Sequence, residues 1–192
     1  MPFRNFVSSL APWSASNMGK KNPTLKPSNR AATAMNIKPN VKWPNDVVIK
    51  GKKVAGMIVD ASIQSNLIES MVLGVGINFK VDTKHLERQL KGTENFYGVA
   101  SLLKVDDTTN PLVIVQNFLS ELEKIITLLD QGKVSSIIQK WEKISTTIGK
   151  KVSIKTNGGM ITGHAEKINS DGSLNIVKNG KVQRLLVGDI SI

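Results

Sequence analysis

Lys42-Trp43-Pro44-Asn45-Asp46 concentrates more chemistry than any other stretch of this sequence. A prolyl ring fixes its own φ and pushes the residue before it into extended backbone, so the segment is stiff. Asn45 and Asp46 then favour a turn that presents an amide and a carboxylate at a strand end. Seven residues after Asp46, Lys53 opens an apolar run that contains Gly56. Further on, Gly74-Val75-Gly76-Ile77-Asn78 offers backbone almost bare of side chains, followed by an amide. Each piece has an ordinary reading by itself. The Trp would be buried ahead of an Asx turn, the lysine a solvated charge at a strand edge, and the glycines a close strand or helix contact. His85 and His164 lie far apart in polar surroundings and read as surface residues. With no cysteine, disulfides, thiolate catalysis and Cys-based zinc or iron–sulfur sites are excluded.

These residues need elements to hold them. Val47-Val48-Ile49 and Val54–Val59 are β-branched runs separated by Lys50-Gly51-Lys52-Lys53, the pattern of a hairpin. Gln64-Ser65-Asn66 is a second turn, leading into a strand from Ile68 to Phe79. Three successive strands predict an antiparallel meander carrying Gly56, Gly74 and Gly76. Thr83–Leu90 reads as a short helix and Gly98–Leu103 as another. Asn110-Pro111 is a helix start, an N-cap followed by Pro at the first helical position. Leu112, Val115, Leu119, Leu122, Ile126 and Leu129 then recur at three- and four-residue steps, which predicts an amphipathic helix with that stripe inward, ending before Gly132. A further helix spans Val134–Lys143, with Ile137, Ile138 and Trp141 inward. From Gly149 onward, short alternating runs are separated by Asn157-Gly158, Asp171-Gly172 and Asn179-Gly180, strong hairpin signals. With Asp189–Ile192 as a fifth strand, they suit a small closed barrel.

The chain has 192 residues and a formal charge of +11. The excess is uneven: residues 1–40 carry six basic and no acidic side chains. Those forty residues are rich in Pro, Ser, Asn and Lys and read as a leader or a partial first segment, with a short helix-like piece at Arg30–Met35. A basic balance favours anionic partners: nucleotide phosphates, nucleic acid or an acidic protein. No apolar run reaches the ~18–20 residues of a membrane span, and the first residues make a poor signal peptide. The cytoplasm is the default location.

Taken in order, these motifs resemble the biotin protein ligase (biotin–[acetyl-CoA-carboxylase] ligase) family. That family carries Lys-Trp-Pro-Asn-Asp, then a Lys-Lys-x-Ala-Gly-Ile-Leu-like strand, then a Gly-x-Gly-x-Asn strand. Here they are Lys42–Asp46, Lys52-Lys53-Val54-Ala55-Gly56-Met57-Ile58 and Gly74–Asn78. Ala100-Ser101-Leu102 is similar to the family's Thr-Ser-Leu segment, with Ala for Thr. The C-terminal strands are similar to the small Src-homology-3-like domain that follows the catalytic domain in many members. The resemblance spans about residues 30–192. It implies an α+β fold: a mixed or antiparallel sheet with helices, as in class II synthetase-like catalytic domains, followed by that barrel. It also implies a division into a divergent or partial leader (1–40), a partial catalytic domain (41–146) and a small β-barrel domain (147–192).

The resemblance further implies a reaction in two steps. Biotin is activated by ATP to biotinyl-5′-AMP, which is then passed to a lysine on the biotin carboxyl carrier domain of acetyl-CoA carboxylase or another carboxylase. Lys53 would be the catalytic cation at the junction of carboxylate and phosphate. Lys42 would supply a second phosphate-binding charge, and Asn45 and Asn78 would help place the nucleotide and metal. Asp46 would help hold Mg²⁺, for which a hard oxygen ligand is suited. Gly56 would let the biotin ring approach the backbone, while Trp43 fixes the motif as core packing. The sequence departs from the family upstream, where neither a Ser-Thr-Asn-like segment nor a Gly-Arg-Gly-Arg-x-Gly-Arg-like loop occurs. An N-terminally truncated or divergent member is therefore expected. The alternative to a working ligase is an inactive member that only binds biotin, nucleotide or carrier. A nucleic-acid-binding module fits the charge, but five Phe, three Trp and one Tyr offer little for base stacking. No helix-turn-helix is visible ahead of the motif, so a DNA-binding repressor role is not expected. A lipoate ligase is related in fold and chemistry, yet Lys-Trp-Pro-Asn-Asp favours biotin. The edge of the meander could support a homodimer.

Overall fold

A computed structural model describes residues 38–65, 67–93, 96–156, 159–186 and 189–191. The basic leader up to residue 37, with its expected helical piece at Arg30–Met35, lies outside the described residues. The fold is α+β. Strands β1 (Asn40–Lys42), β2 (Asp46–Ile49), β3 (Lys52–Gln64) and β4 (Leu67–Ile77) form an antiparallel meander in that order. The expected hairpin between β2 and β3 is present, closed by Lys50 and Gly51. Both have positive φ, the two-residue geometry that matches strand twist. The meander gains one short strand, β1, from the start of the Lys-Trp-Pro motif.

Helices α1 (Thr83–Leu90), α2 (Pro111–Asp130) and α3 (Val134–Lys143) follow. Asn110 caps α2 as expected, its side-chain oxygen accepting the Leu112 N–H at 2.9 Å. The inward face of α2 is only in part the expected one. Leu122 and Leu129 of the expected stripe pack partly against the core, but Leu112, Val115, Leu119 and Ile126 are exposed, whereas Ile114, Glu121 and Ile125 are buried, with Phe118 and Leu128 partly so. α2 carries two apolar stripes, and periodicity cannot say which of them meets the sheet. In α3, Ile137 and Trp141 are buried as expected. Among the described residues, no helix is long and apolar enough to cross a membrane.

Strands β5 (Lys151–Thr156), β6 (Gly159–Ile168), β7 (Leu174–Lys178), β8 (Lys181–Leu185) and β9 (Asp189–Ser191) form a second antiparallel sheet in the order β8-β7-β6-β5-β9. Asn179-Gly180 makes the β7–β8 turn, both residues at positive φ. Asn157-Gly158 lies outside the described residues, though Thr156 and Gly159 on either side of it are paired. Asp171-Gly172 sits in a longer loop rather than a two-residue turn. No ladder between β8 and β9 closes this sheet among the described residues.

The core explains why the first sheet has two different faces. Val41, Val47, Ala55, Met57 and Val59 are buried in one cluster with Ile114, Ile125, Ile137 and Trp141 from α2 and α3. The alternate positions point the other way. Asp46, Gly56 and Gly76 are consecutive register partners across β2, β3 and β4, and Lys42 pairs with Asp46, so all four share a face. Ile58, on that face, is 60% exposed. The bare row is therefore an open groove floor.

Candidate active site

The Lys42–Asp46 segment is a tight hairpin loop with Lys42 and Asp46 facing each other in register. Trp43 anchors it. The side chain is 1% exposed, its backbone N–H donates to Thr147 Oγ1 at 3.0 Å, and its Nε1–H donates to the Gly172 carbonyl at 3.1 Å. Asn45 clamps the loop to β3: its carbonyl accepts the Met57 N–H, and its Nδ2 donates to the Met57 carbonyl at 2.6 Å. An Asn suits this place because a single side chain extends the ladder by one amide.

Lys53 reaches across the sheet to Asp46, Nζ to Oδ1 at 2.6 Å. Oδ1 is buried and has no hydrogen bond of regular geometry, so that off-axis ammonium is what compensates its charge. Oδ2 accepts the Tyr97 hydroxyl at 2.5 Å. The Lys42 ammonium lies 3.5 Å from the Tyr97 ring centroid. Burial, the Asp46 charge and the hydrogen bond to Asp46 all push the Tyr97 phenol far above its usual range. It stays protonated and donates. Two ammonium groups, one carboxylate and one phenol thus meet at the head of the groove.

Gly56 lies beneath this group. A Cβ there would stand 3.0 Å from Lys53 Cε and Nζ and 3.2 Å from Asp46 Oδ1. The bare backbone is faced first by the Lys53 side chain. At Gly74 and Gly76 an added Cβ would make only ordinary contacts, at 3.7 and 3.9 Å, so a close strand contact does not explain those glycines. They leave a groove of about 630 Å³, lined by Lys53, Gly56, Ile58, Gly74, Gly76 and Asn78 among others. A second cleft of about 590 Å³ shares Lys53 and Asn78 and is bounded by Lys42, Asp46, Leu86 and Tyr97. Asn78 Nδ2 donates to the Lys53 carbonyl at 3.2 Å, and its backbone N–H donates to Val54 O at 2.8 Å. Asn78 therefore holds the backbone of the lysine.

Gly98–Leu103 is not the expected helix. It runs as an extended strap, because Lys53 N–H donates to Gly98 O, Ala100 N–H to Lys53 O, Leu102 N–H to Asn78 O and Leu103 N–H to Phe79 O. Gly98 at φ +100° breaks the helical continuation. The Ser101 hydroxyl accepts the Val81 N–H at 2.9 Å and donates to the Leu103 carbonyl at 2.7 Å. All six expected site residues are thus brought together: Lys42, Asn45, Asp46, Lys53, Gly56 and Asn78. Tyr97 was not expected. The signal was its position as the chain's single tyrosine, directly before Gly98 and the Ala-Ser-Leu segment.

As a metal ligand, Asp46 stands nearly alone. Among the described residues no group of three His, Asp or Glu side chains could hold a metal. Such a site suits Mg²⁺ carried in on phosphates, which needs one or two carboxylates from the protein. Both Asp46 oxygens are engaged by Lys53 and Tyr97, so an ion could bind there only by displacing one of these contacts.

Residues 7–78 match the biotin/lipoate A/B protein ligase family, starting earlier than the motifs by themselves reach. The bifunctional ligase/repressor BirA of Bacillus subtilis is 26% identical over 159 residues, 83% of this chain and 48% of that protein. The biotin–[acetyl-CoA-carboxylase] ligase of Mycobacterium tuberculosis is 27% identical over 151 residues, 78% of this chain and 52% of that one. The chain is thus similar, over most of its length, to members of this ligase family. It spans about half the length of the curated relatives it matches. The fold is also that of family structures. The apo biotin protein ligase of Aquifex aeolicus superposes with a TM-score of 0.73 at 17% identity, covering 100% of this chain and 76% of the other. The same enzyme in complex with biotin and ATP gives 0.65 at 19% identity, covering 99% and 72%.

Proposed function

We propose that this chain is the part of a biotin protein ligase that joins biotin to ATP and then to a carrier lysine. The observation that carries this reading is the meeting of Lys42, Asp46 and Lys53 at the head of a glycine-floored groove. In the first step the biotin carboxylate attacks the α-phosphorus of ATP. The bond to the β-phosphate oxygen breaks and pyrophosphate leaves, giving biotinyl-5′-AMP. Negative charge builds where two anions meet, and a pre-placed ammonium stabilises it there. Lys53 is that cation, leaving Asp46 for the substrate, and Lys42 supports the phosphates from the other side. Asn45 and Asn78 keep the loop and the Lys53 backbone at fixed spacing beside the nucleotide. Bound Mg²⁺ would shield the phosphate charge, with Asp46 as its protein ligand. The groove over Gly56, Gly74 and Gly76 offers backbone to a flat apolar ring with polar edges, which describes biotin. In the second step the ε-amine of a carrier lysine attacks the acyl carbon, AMP leaves, and the amine loses its proton.

The carrier domain of a carboxylase, such as acetyl-CoA carboxylase, is the acceptor on this reading, and the cytoplasm the site of action. Its five short antiparallel strands support reading the second sheet as the small Src-homology-3-like barrel, beside a class II synthetase-like catalytic sheet. The test is pyrophosphate release from ATP with Mg²⁺, with and without biotin, against the Lys53→Ala protein. Biotin-dependent release that the variant lacks supports the reading; equal release from both contradicts it. A second reading has one observation behind it: no Gly-Arg-Gly-Arg loop occurs in the sequence to close over an adenylate. On that reading the chain binds biotin or nucleotide without turnover, so calorimetry would register binding where no pyrophosphate forms.

A further inference from the structure

Lys42 and Asp46 face each other across the β1–β2 hairpin, and Lys53 reaches the same carboxylate from β3. Tyr97 contacts both Lys42 and this acid. Its ring face takes the Lys42 ammonium at 3.5 Å, and its hydroxyl occupies Asp46 Oδ2 at 2.5 Å. Oδ1 is left to Lys53.

The approach of Tyr97 is also built in. The next residue, Gly98, has φ +100°, and a Cβ there would come within 3.0 Å of Lys52 Cγ. Glu87 of α1 accepts the Val99 N–H at 3.2 Å and pairs with Lys52 at 2.7 Å. Lys53 holds Gly98 and Ala100 on either side through its own backbone. The strap that delivers the phenol is thus pinned to the residue whose partner the phenol assigns.

We propose that Tyr97 is a positioning residue for adenylate formation: it holds Lys42 on its ring and Asp46 Oδ2 on its hydroxyl, and so keeps Oδ1 for Lys53 and both lysines in place around the phosphates. The proposal rests on the ligase reading above.

The test uses the full chain carrying Tyr97→Phe or Tyr97→Leu, each checked by circular dichroism. Tyr97→Phe keeps the ring and loses one hydrogen bond to a charged group. It lowers kcat for pyrophosphate release roughly tenfold, with KM for biotin within about twofold and the shape of the pH profile unchanged. Tyr97→Leu also unseats Lys42, so it lowers kcat further and raises KM for ATP. In an Asp46→Ala background the step from Tyr97 to Phe costs nothing more, as expected for a coupled pair. Wild-type kcat in Tyr97→Phe, or an undiminished effect beside Asp46→Ala, overturns the proposal. Equal losses of all parameters in both variants overturn it too, since that is what mere destabilisation produces.

A second readout needs no turnover. Acetylation by acetic anhydride, followed by peptide mass spectrometry, reports access to Lys42, which is 8% exposed. Faster acetylation of Lys42 in Tyr97→Leu, and not in Tyr97→Phe, supports the ring's role; equal rates in all three proteins overturn it. If the wild type shows this labelling but releases no pyrophosphate, the ligase reading falls while Tyr97 still holds the lysine.

Discussion

At the scale of single residues, Lys53 and Gly56 form one device. The lysine side chain lies in the space that a Cβ on Gly56 would claim, and its ammonium ends on Asp46. Gly56→Ala therefore displaces Lys53, at small cost in stability, because the crowded atoms are the far end of a flexible side chain. Biotin-dependent activity falls about tenfold or more through that misplacement, while thermal melting shows a change below about 1 kcal/mol. Normal activity would show that Lys53 does not act from where it rests. Lys42, Asn45, Asp46, Lys53 and Asn78 were legible in the sequence because motif order ties them together. Tyr97 was not, because the strap brings it back across the sheet from fifty-one positions beyond Asp46. The sequence named the residues but not how they are spent: the Nδ2 groups of Asn45 and Asn78 hold backbone carbonyls.

At the scale of elements, α2 shows what periodicity leaves open. Six apolar residues at helical spacing predicted one inward stripe, yet of these only Leu122 and Leu129 reach the core, and a second stripe through Ile114, Phe118 and Ile125 packs more deeply into it. Both satisfy the same pattern, and only the packing of the sheet decides which is buried more deeply. Ile125→Ala, at 1% exposure, should cost about 2–4 kcal/mol in denaturant unfolding. Leu119→Ala, at 55% exposure, should cost less than about 1 kcal/mol. Comparable costs would contradict this orientation. The β6–β7 loop is a second such element. Ser173 Oγ donates to Asp171 Oδ1 at 2.6 Å, Arg184 donates to both residues, and Asn169 Nδ2 donates to Asn175 Oδ1 at 2.6 Å. Burial works against the Asp171 charge, but the Ser173 and Arg184 hydrogen bonds outweigh it and hold the carboxyl below its usual range. A folded value below the unfolded one stabilises fully above about pH 5 and is lost as pH falls through the folded value. Asp171→Asn should thus be less stable than wild type by about 1–2 kcal/mol at neutral pH, with the gap closing in acid. A gap that persists in acid would mean that the charge is not the cause.

At the scale of the whole molecule, the two sheets are tied through the Lys42–Asp46 hairpin. Trp43 donates to Thr147 and Gly172, and Thr146 N–H donates to the Val41 carbonyl at 2.8 Å. The glycine that Trp43 meets is in the loop braced by Asp171 and Arg184. The second sheet therefore supports the Lys42–Asp46 loop directly, which the order of motifs along the chain did not convey. Trp43→Phe keeps the packing and loses the Gly172 bond, and should lower both melting temperature and activity; unchanged activity would separate the second sheet from the site. The basic balance of the chain acquires a place as well, since Lys53 pairs with Asp46 and Lys42 lies over the ring of the tyrosine bonded to that carboxylate, at the head of the groove. That cluster, acting on a carboxylate and a triphosphate, is the central claim. Biotin-dependent exchange of labelled pyrophosphate into ATP isolates the adenylation step and tests it most directly. Exchange in the wild type that drops at least about a hundredfold in Lys53→Ala, with the fold intact, is the predicted result. Exchange that persists in Lys53→Ala, or that proceeds equally without biotin, would contradict it.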